Sequence, residues 1–131
     1  MNVFNALAPL IAILISDPAT SEIWKAIELK DECVAFESTF NGHQSRETLS
    51  YGATCGGYIA GFVDSDILHT MFAKDLDNRD ARLFCISGTT SYRQLAAIYV
   101  NYVNAHPKDW NEPASIILVS ALRDSFPCRS K

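Results

Sequence analysis

Apolar residues recur at three- and four-residue steps along much of this chain, with short polar or glycine-containing breaks between the runs. Between residues 18 and 40, Ala26, Leu29, Cys33, Phe36 and Phe40 form one helical stripe, while Lys25, Glu28, Glu32 and Glu37 fall largely elsewhere. Asp17-Pro18 reads as an N-cap and first-turn proline for that helix, and Asn41-Gly42 ends it. Ser45 caps the next helix with Thr48, not Glu or Gln, at the third position, so a full capping box is not expected. Ser91-Tyr92-Arg93-Gln94 is a Ser-x-x-Gln box, and the helix beyond it turns Leu95, Ile98, Tyr99 and Tyr102 inward. That helix stops at Asn104-Ala105-His106-Pro107, where His106 suits a C-terminal cap. Asn111-Glu112-Pro113 starts a last helix with the stripe Ala114, Ile117, Leu118, Ala121 and Leu122. Phe126-Pro127-Cys128 closes it, because proline cannot continue the ladder.

Residues 46–63 pose a problem of a different kind. Gly52, Ala53, Gly56, Gly57, Ala60 and Gly61 crowd one segment, and each interior glycine costs about 1 kcal/mol relative to alanine in a helix. A continuous helix is consistent with this if the small residues at four-residue spacing (Gly52, Gly56, Ala60 and also Gly57, Gly61) leave a groove for another backbone. A loop at Cys55-Gly56-Gly57 between two shorter helices is the alternative. Residues 64–71 predict a short third helix, and residues 74–82, Lys-Asp-Leu-Asp-Asn-Arg-Asp-Ala-Arg, an exposed loop. The pattern contains no convincing strand and no internal repeat. It predicts an all-α, single-domain bundle of about five helices.

The four cysteines fit that bundle as staples. Cys33 and Cys55 flank the Asn41-Gly42-His43 turn at nearly equal distances, and Cys85 and Cys128 flank the Ala105-His106-Pro107 break likewise. In an antiparallel helix pair, residues equidistant from the turn lie at the same height. The spacing therefore favours Cys33–Cys55 and Cys85–Cys128 among the three pairings available. Such loops contribute roughly 3–4 kcal/mol each in the chain-entropy model and belong in an oxidising compartment. Four buried thiols in a cytosolic bundle are the bland alternative.

Composition narrows the functions. A chain of 131 residues with 48% apolar and 20% charged residues is one ordinary globular domain. A net charge of −4 argues against a general nucleic-acid or anionic-membrane binder, and no apolar run is long enough for a membrane span. Residues 3–15 have the length of a signal-peptide core, with Ala19-Thr20-Ser21 as a cleavage site. Yet no Lys or Arg precedes them, so an apolar first segment packed on the core is an equal reading. The division is residues 1–20 for this segment and 21–131 for the helical domain.

Catalytic chemistry is hard to assemble from these residues. His43, His69 and His106 are scattered, without metal-ligand spacing, and no cofactor motif is present. A cysteine nucleophile would need a neighbouring histidine and a lowered pKa. The run Asp75-Leu76-Asp77-Asn78-Arg79-Asp80 lacks the glycine and the closing glutamate of a calcium loop. The chain is therefore read as a non-enzyme.

Cys55-Gly56-Gly57-Tyr58-Ile59-Ala60-Gly61, Phe84-Cys85-Ile86, Gln94-Leu95, His106-Pro107, Ala121-Leu122 and Phe126-Pro127-Cys128, in this order, resemble the Rap/Tai family of immunity proteins against type VI secreted peptidoglycan amidase effectors. The resemblance covers residues 33–128, with a departure at Ser87, where many relatives carry proline. It implies a helical periplasmic protein, often a homodimer, that binds a cysteine–histidine amidase toxin and covers its active site. The partner-binding expectation falls on the 71–82 segment: Asp75, Asp77 and Asp80 to meet basic groups at the cleft, with Asn78 and Arg79 to supply directional hydrogen bonds. A small secreted helical enzyme and a periplasmic structural adaptor are the alternatives.

Overall fold

The computed structural model describes residues 23–75 and 82–128. Helix α1 spans Ala26–Phe40, α2 Arg46–Asp75, α3 Tyr92–Ala105 and α4 Ala114–Ser125, with a 3₁₀ turn at Pro107–Asp109. The class is all-α, as the periodicity predicts, but the described residues hold four α-helices where about five were expected. The difference lies in α2. The expected boundary between residues 63 and 64 does not exist, and the helix runs for 30 residues.

One bond within the helix and one tertiary bond explain that continuity. Asp64 and Ser65 project into solvent, while Asp66 and Thr70 are buried. The Thr70 hydroxyl donates to the Asp66 carbonyl oxygen at 2.8 Å, and Asp66 Oδ1 accepts the Leu83 N–H at 3.1 Å. The polar cluster thus anchors the helix to a later segment instead of ending it. Cys55-Gly56-Gly57 lies inside the same helix, so the loop alternative fails.

Local chemistry sets the helix ends. α1 is capped at Lys25 and not, as expected, at Asp17-Pro18, which lies with the 1–20 segment outside the described residues; the Lys25 N–H donates to the Glu28 carboxylate at 3.0 Å. Two further donors of its first turn reach across the molecule: the Ala26 N–H to the Glu112 carbonyl at 2.9 Å and the Ile27 N–H to the Trp110 carbonyl at 3.1 Å. These bonds satisfy groups that a helix start leaves unpaired. At the other end Gly42 takes a positive φ of 86°, and the His43 N–H donates to the Ser38 carbonyl at 3.2 Å, closing a Schellman turn. Ser45 and Thr48 bond reciprocally, Thr48 N–H to Ser45 Oγ at 3.0 Å and Ser45 N–H to Thr48 Oγ1 at 2.9 Å. A threonine hydroxyl here takes the part that Glu or Gln plays in the usual box, which corrects the expectation that none would form. Ser91 accepts the Gln94 N–H at 3.2 Å. His106 caps α3, its ring stacked on Tyr102 at 4.0 Å and its Nδ1 2.8 Å from the Tyr102 carbonyl oxygen.

α1 is the hub, packed against α2, α3 and α4. Its buried Ala26, Leu29 and Cys33 meet Cys55 and Ile59 of α2, Leu95, Ala96, Tyr99 and Val103 of α3, and Ala114, Ile117, Leu118, Ala121 and Leu122 of α4. The expected α4 stripe is buried throughout. On α3 the stripe is rotated: Ala96 and Val103 are fully buried, and Ile98 and Tyr102 only partly so. The disulfides are Cys33–Cys55 and Cys85–Cys128, the pairing the spacing favours. The first clamps α1 to α2 inside the core. The second ties the segment before α3 to the residues after α4. No helix among the described residues is long and apolar enough to cross a membrane.

Candidate partner-binding surface

The second half of α2 has two unlike faces. Asp66, Thr70 and Ala73, at steps of four and three, point inward to the segment that enters at Arg82. Ile67, Leu68, Met71 and Phe72 lie outward, 53%, 54%, 60% and 68% exposed. Four large apolar side chains side by side on a helix surface exceed the scattered exposure ordinary in a monomer, and contiguous patches of this sort mark interaction sites.

A groove of about 320 Å³ runs along this patch, with Val63, Ile67 and Met71 on one wall and Phe84, Ile86 and Thr90 on the other. The second wall is firmly placed. Leu83 is bonded to Asp66, the Phe84 ring stacks on Phe62 at 6.1 Å, and the Cys85 N–H donates to the Phe126 carbonyl at 2.9 Å beside the disulfide. Asp66 and Arg82 add polar groups to the lining. The result is an apolar shelf with polar edges on a covalently braced base.

A second groove, of about 640 Å³, is lined by Trp24, Glu28, Asp31, Glu32 and Tyr51. Its carboxylates crowd one another. Burial, and then the adjacent Asp31 carboxylate, pushes the Glu32 carboxyl above its ordinary range. Glu32 Oε2 is buried without a hydrogen-bond partner. The Tyr51 hydroxyl donates to Glu47 Oε1 at 3.2 Å, and that bond raises the pKa of the phenol. Lys30 Nζ sits 3.2 Å from Asp31 Oδ1 and 5.8 Å from the Trp110 ring centre, so part of the negative charge is answered locally.

Of the sequence-predicted contact residues, Asp75 is the last residue of α2, and Asp77, Asn78, Arg79 and Asp80 lie outside the described residues. The exposed loop was expected over residues 74–82, yet α2 continues through residues 74 and 75, with Thr70 and Ala73 buried in its last turns. Sequence reasoning missed the Ile67, Leu68, Met71 and Phe72 patch. Its signal was present as two apolar pairs four residues apart, which a helix sets on one face. The acidic groove was also missed, although Glu28, Asp31 and Glu32 share the helical spacing that places them together.

All four cysteine sulfurs are in disulfides, so none is available as a thiol nucleophile. Among the described residues no group of His, Cys, Asp and Glu is placed to hold a metal ion.

The family model of Rap1a immunity proteins matches residues 25–128. No curated protein and no solved structure matches the chain.

Proposed function

The chain belongs to the Rap1a immunity protein family, and from that premise we propose that it neutralises a type VI secreted peptidoglycan amidase by binding it and occluding its active site. The family match carries this reading, since it spans both disulfide-clamped units and every described helix. It works in the periplasm, where the cell wall is exposed to the toxin and an oxidising milieu maintains Cys33–Cys55 and Cys85–Cys128.

The physical argument for occlusion rests on rigidity and on surface chemistry. An inhibitor that is already ordered loses little conformational entropy on binding. The exposed Ile67, Leu68, Met71 and Phe72 supply an apolar centre for the contact. Asp75, Asp77 and Asp80 follow immediately in the chain and add negative charge for basic groups at the rim of an amidase cleft, with Asn78 and Arg79 as hydrogen-bonding groups. The active form is a homodimer, and the protein has no catalytic activity of its own.

The test is a pull-down with the product of the neighbouring gene, followed by cell-wall hydrolysis with and without this protein. A stable complex and arrested hydrolysis are expected. Undiminished hydrolysis at saturating concentration would reject the reading.

A further inference from the structure

The two disulfides differ in how exposed their cysteines are. Cys33 and Cys55 are completely buried among Leu29, Ile59 and Tyr99. Cys128 is exposed and Cys85 half-buried. Cys128 also lines a groove of about 490 Å³ together with Leu83, Tyr102, Arg123, Asp124 and Pro127. Exchange requires a thiolate to reach a sulfur, so access decides which bond reacts. The core disulfide gives no such access while the protein is folded. The groove gives it at Cys128.

We propose that Cys85–Cys128 is a thiol–disulfide exchange site, opened at Cys128 by a protein dithiol of the Cys-x-x-Cys class while Cys33–Cys55 stays closed. The reductant's thiolate attacks Cys128 Sγ, forms a mixed disulfide and expels Cys85 Sγ as a thiolate, which takes a proton. The reductant's second thiolate then attacks its own sulfur in the mixed disulfide and releases Cys128 as a thiolate, which is protonated in turn. Two electrons and two protons enter the protein, and the reductant departs as a disulfide.

The consequence falls on the wall of the α2 groove. Once the bond opens, the Phe84 and Ile86 segment is no longer covalently joined to the end of α4. It is then held by packing and by bonds such as Cys85 N–H to Phe126 and Leu83 N–H to Asp66. The α1–α2 hairpin keeps its own clamp. The oxidation state of one disulfide therefore governs how firmly that groove is shaped, without dismantling the core.

The experiment exposes the full chain to graded dithiothreitol, alkylates free thiols and maps the labelled peptides by mass spectrometry. Cys85 and Cys128 should become labelled at a reductant concentration about tenfold or more below that for Cys33 and Cys55. Amide exchange at Leu83 and Cys85 should rise in the half-reduced protein, with α1 unchanged. A thioredoxin-type protein lacking its second active-site cysteine should be trapped on Cys128. The Cys85→Ser/Cys128→Ser variant should remain helical and keep Cys33 and Cys55 unreactive. Simultaneous opening of both disulfides, trapping on Cys85, Cys33 or Cys55, failure to trap, or a variant that exposes its remaining cysteines would each overturn the proposal.

Discussion

The Tyr99 hydroxyl donates a 3.0 Å hydrogen bond to the carbonyl oxygen of Ala26, joining the middle of α3 to the first turn of α1 where both residues are fully buried. Burial, with a smaller contribution from Tyr58, raises the phenol pKa strongly, so the donor keeps its proton through the whole physiological range. Tyr99→Phe should fold to the same structure but lose about 0.5–1.5 kcal/mol in chemical denaturation. An unchanged midpoint and slope would mean that the bond contributes nothing net.

The glycines of α2 should separate into two classes. A Cβ on Gly52 would stand 3.1 Å from the Phe36 Cα, a backbone atom that cannot swing aside, whereas Gly57 and Gly61 have nothing within 4 Å. Gly52→Ala should therefore destabilise by about 1–3 kcal/mol. Gly57→Ala and Gly61→Ala should each stabilise by about 0.5–1 kcal/mol through helix propensity alone. Thermal melts of the three variants check the contrast, and equal shifts would contradict it. At Gly56 the nearest atoms belong to the Phe36 ring, at 3.4 Å, so Gly56→Leu should also overpack.

Glu32 gives stability a pH dependence with a definite sign. Its folded-state pKa is raised above 4.5, so the native state binds more protons than the unfolded chain between the two values. Its contribution is fully present below pH 4.5 and is lost as the pH rises through the folded-state value. Glu32→Gln should remove that slope and raise the melting temperature near neutral pH. A variant with the parent's pH profile would show that Glu32 is not the titrating group.

The surface of α2 can be dissected by charge. Leu68→Lys with Phe72→Lys alters only exposed positions, so stability should stay within about 0.5 kcal/mol of the parent per site. Binding to the cognate amidase, followed by calorimetry, should weaken by at least about tenfold if the apolar patch centres the contact. Asp75→Lys, Asp77→Lys and Asp80→Lys combined should mainly slow association and reduce its salt dependence. Parent-like protection by both variants would move the interface elsewhere on the helices.

Removing Cys33–Cys55 by serine substitution should be costly, because it opens a loop of sequence separation 22 and leaves polar hydroxyls in a fully buried site. The loop alone is worth about 3 kcal/mol. Urea denaturation measures the loss, and a change below about 1 kcal/mol would contradict the chain-entropy estimate.

The sequence by itself determined what depends on short-range chemistry. The α4 stripe, the Asn41-Gly42 terminus of α1 and the Ser91 and His106 caps follow from three- and four-residue spacing and from side chains that bond their own backbone, whereas the start of α1 at Lys25 does not. The disulfide pairing was legible too, because symmetry about a turn is a property of chain distance. Tertiary structure decided the rest. Whether Asp64-Ser65-Asp66 ends a helix depended on Leu83, seventeen residues later, offering its N–H to Asp66. Which small residues of α2 face a neighbour depended on where α1 lies: Gly52 and Gly56 touch Phe36, while Gly57 and Gly61 meet nothing within 4 Å. The exposed patch at Ile67, Leu68, Met71 and Phe72 follows for the same reason. The helix is apolar on more of its circumference than the bundle covers, and only the packing of the other elements selects the part left open.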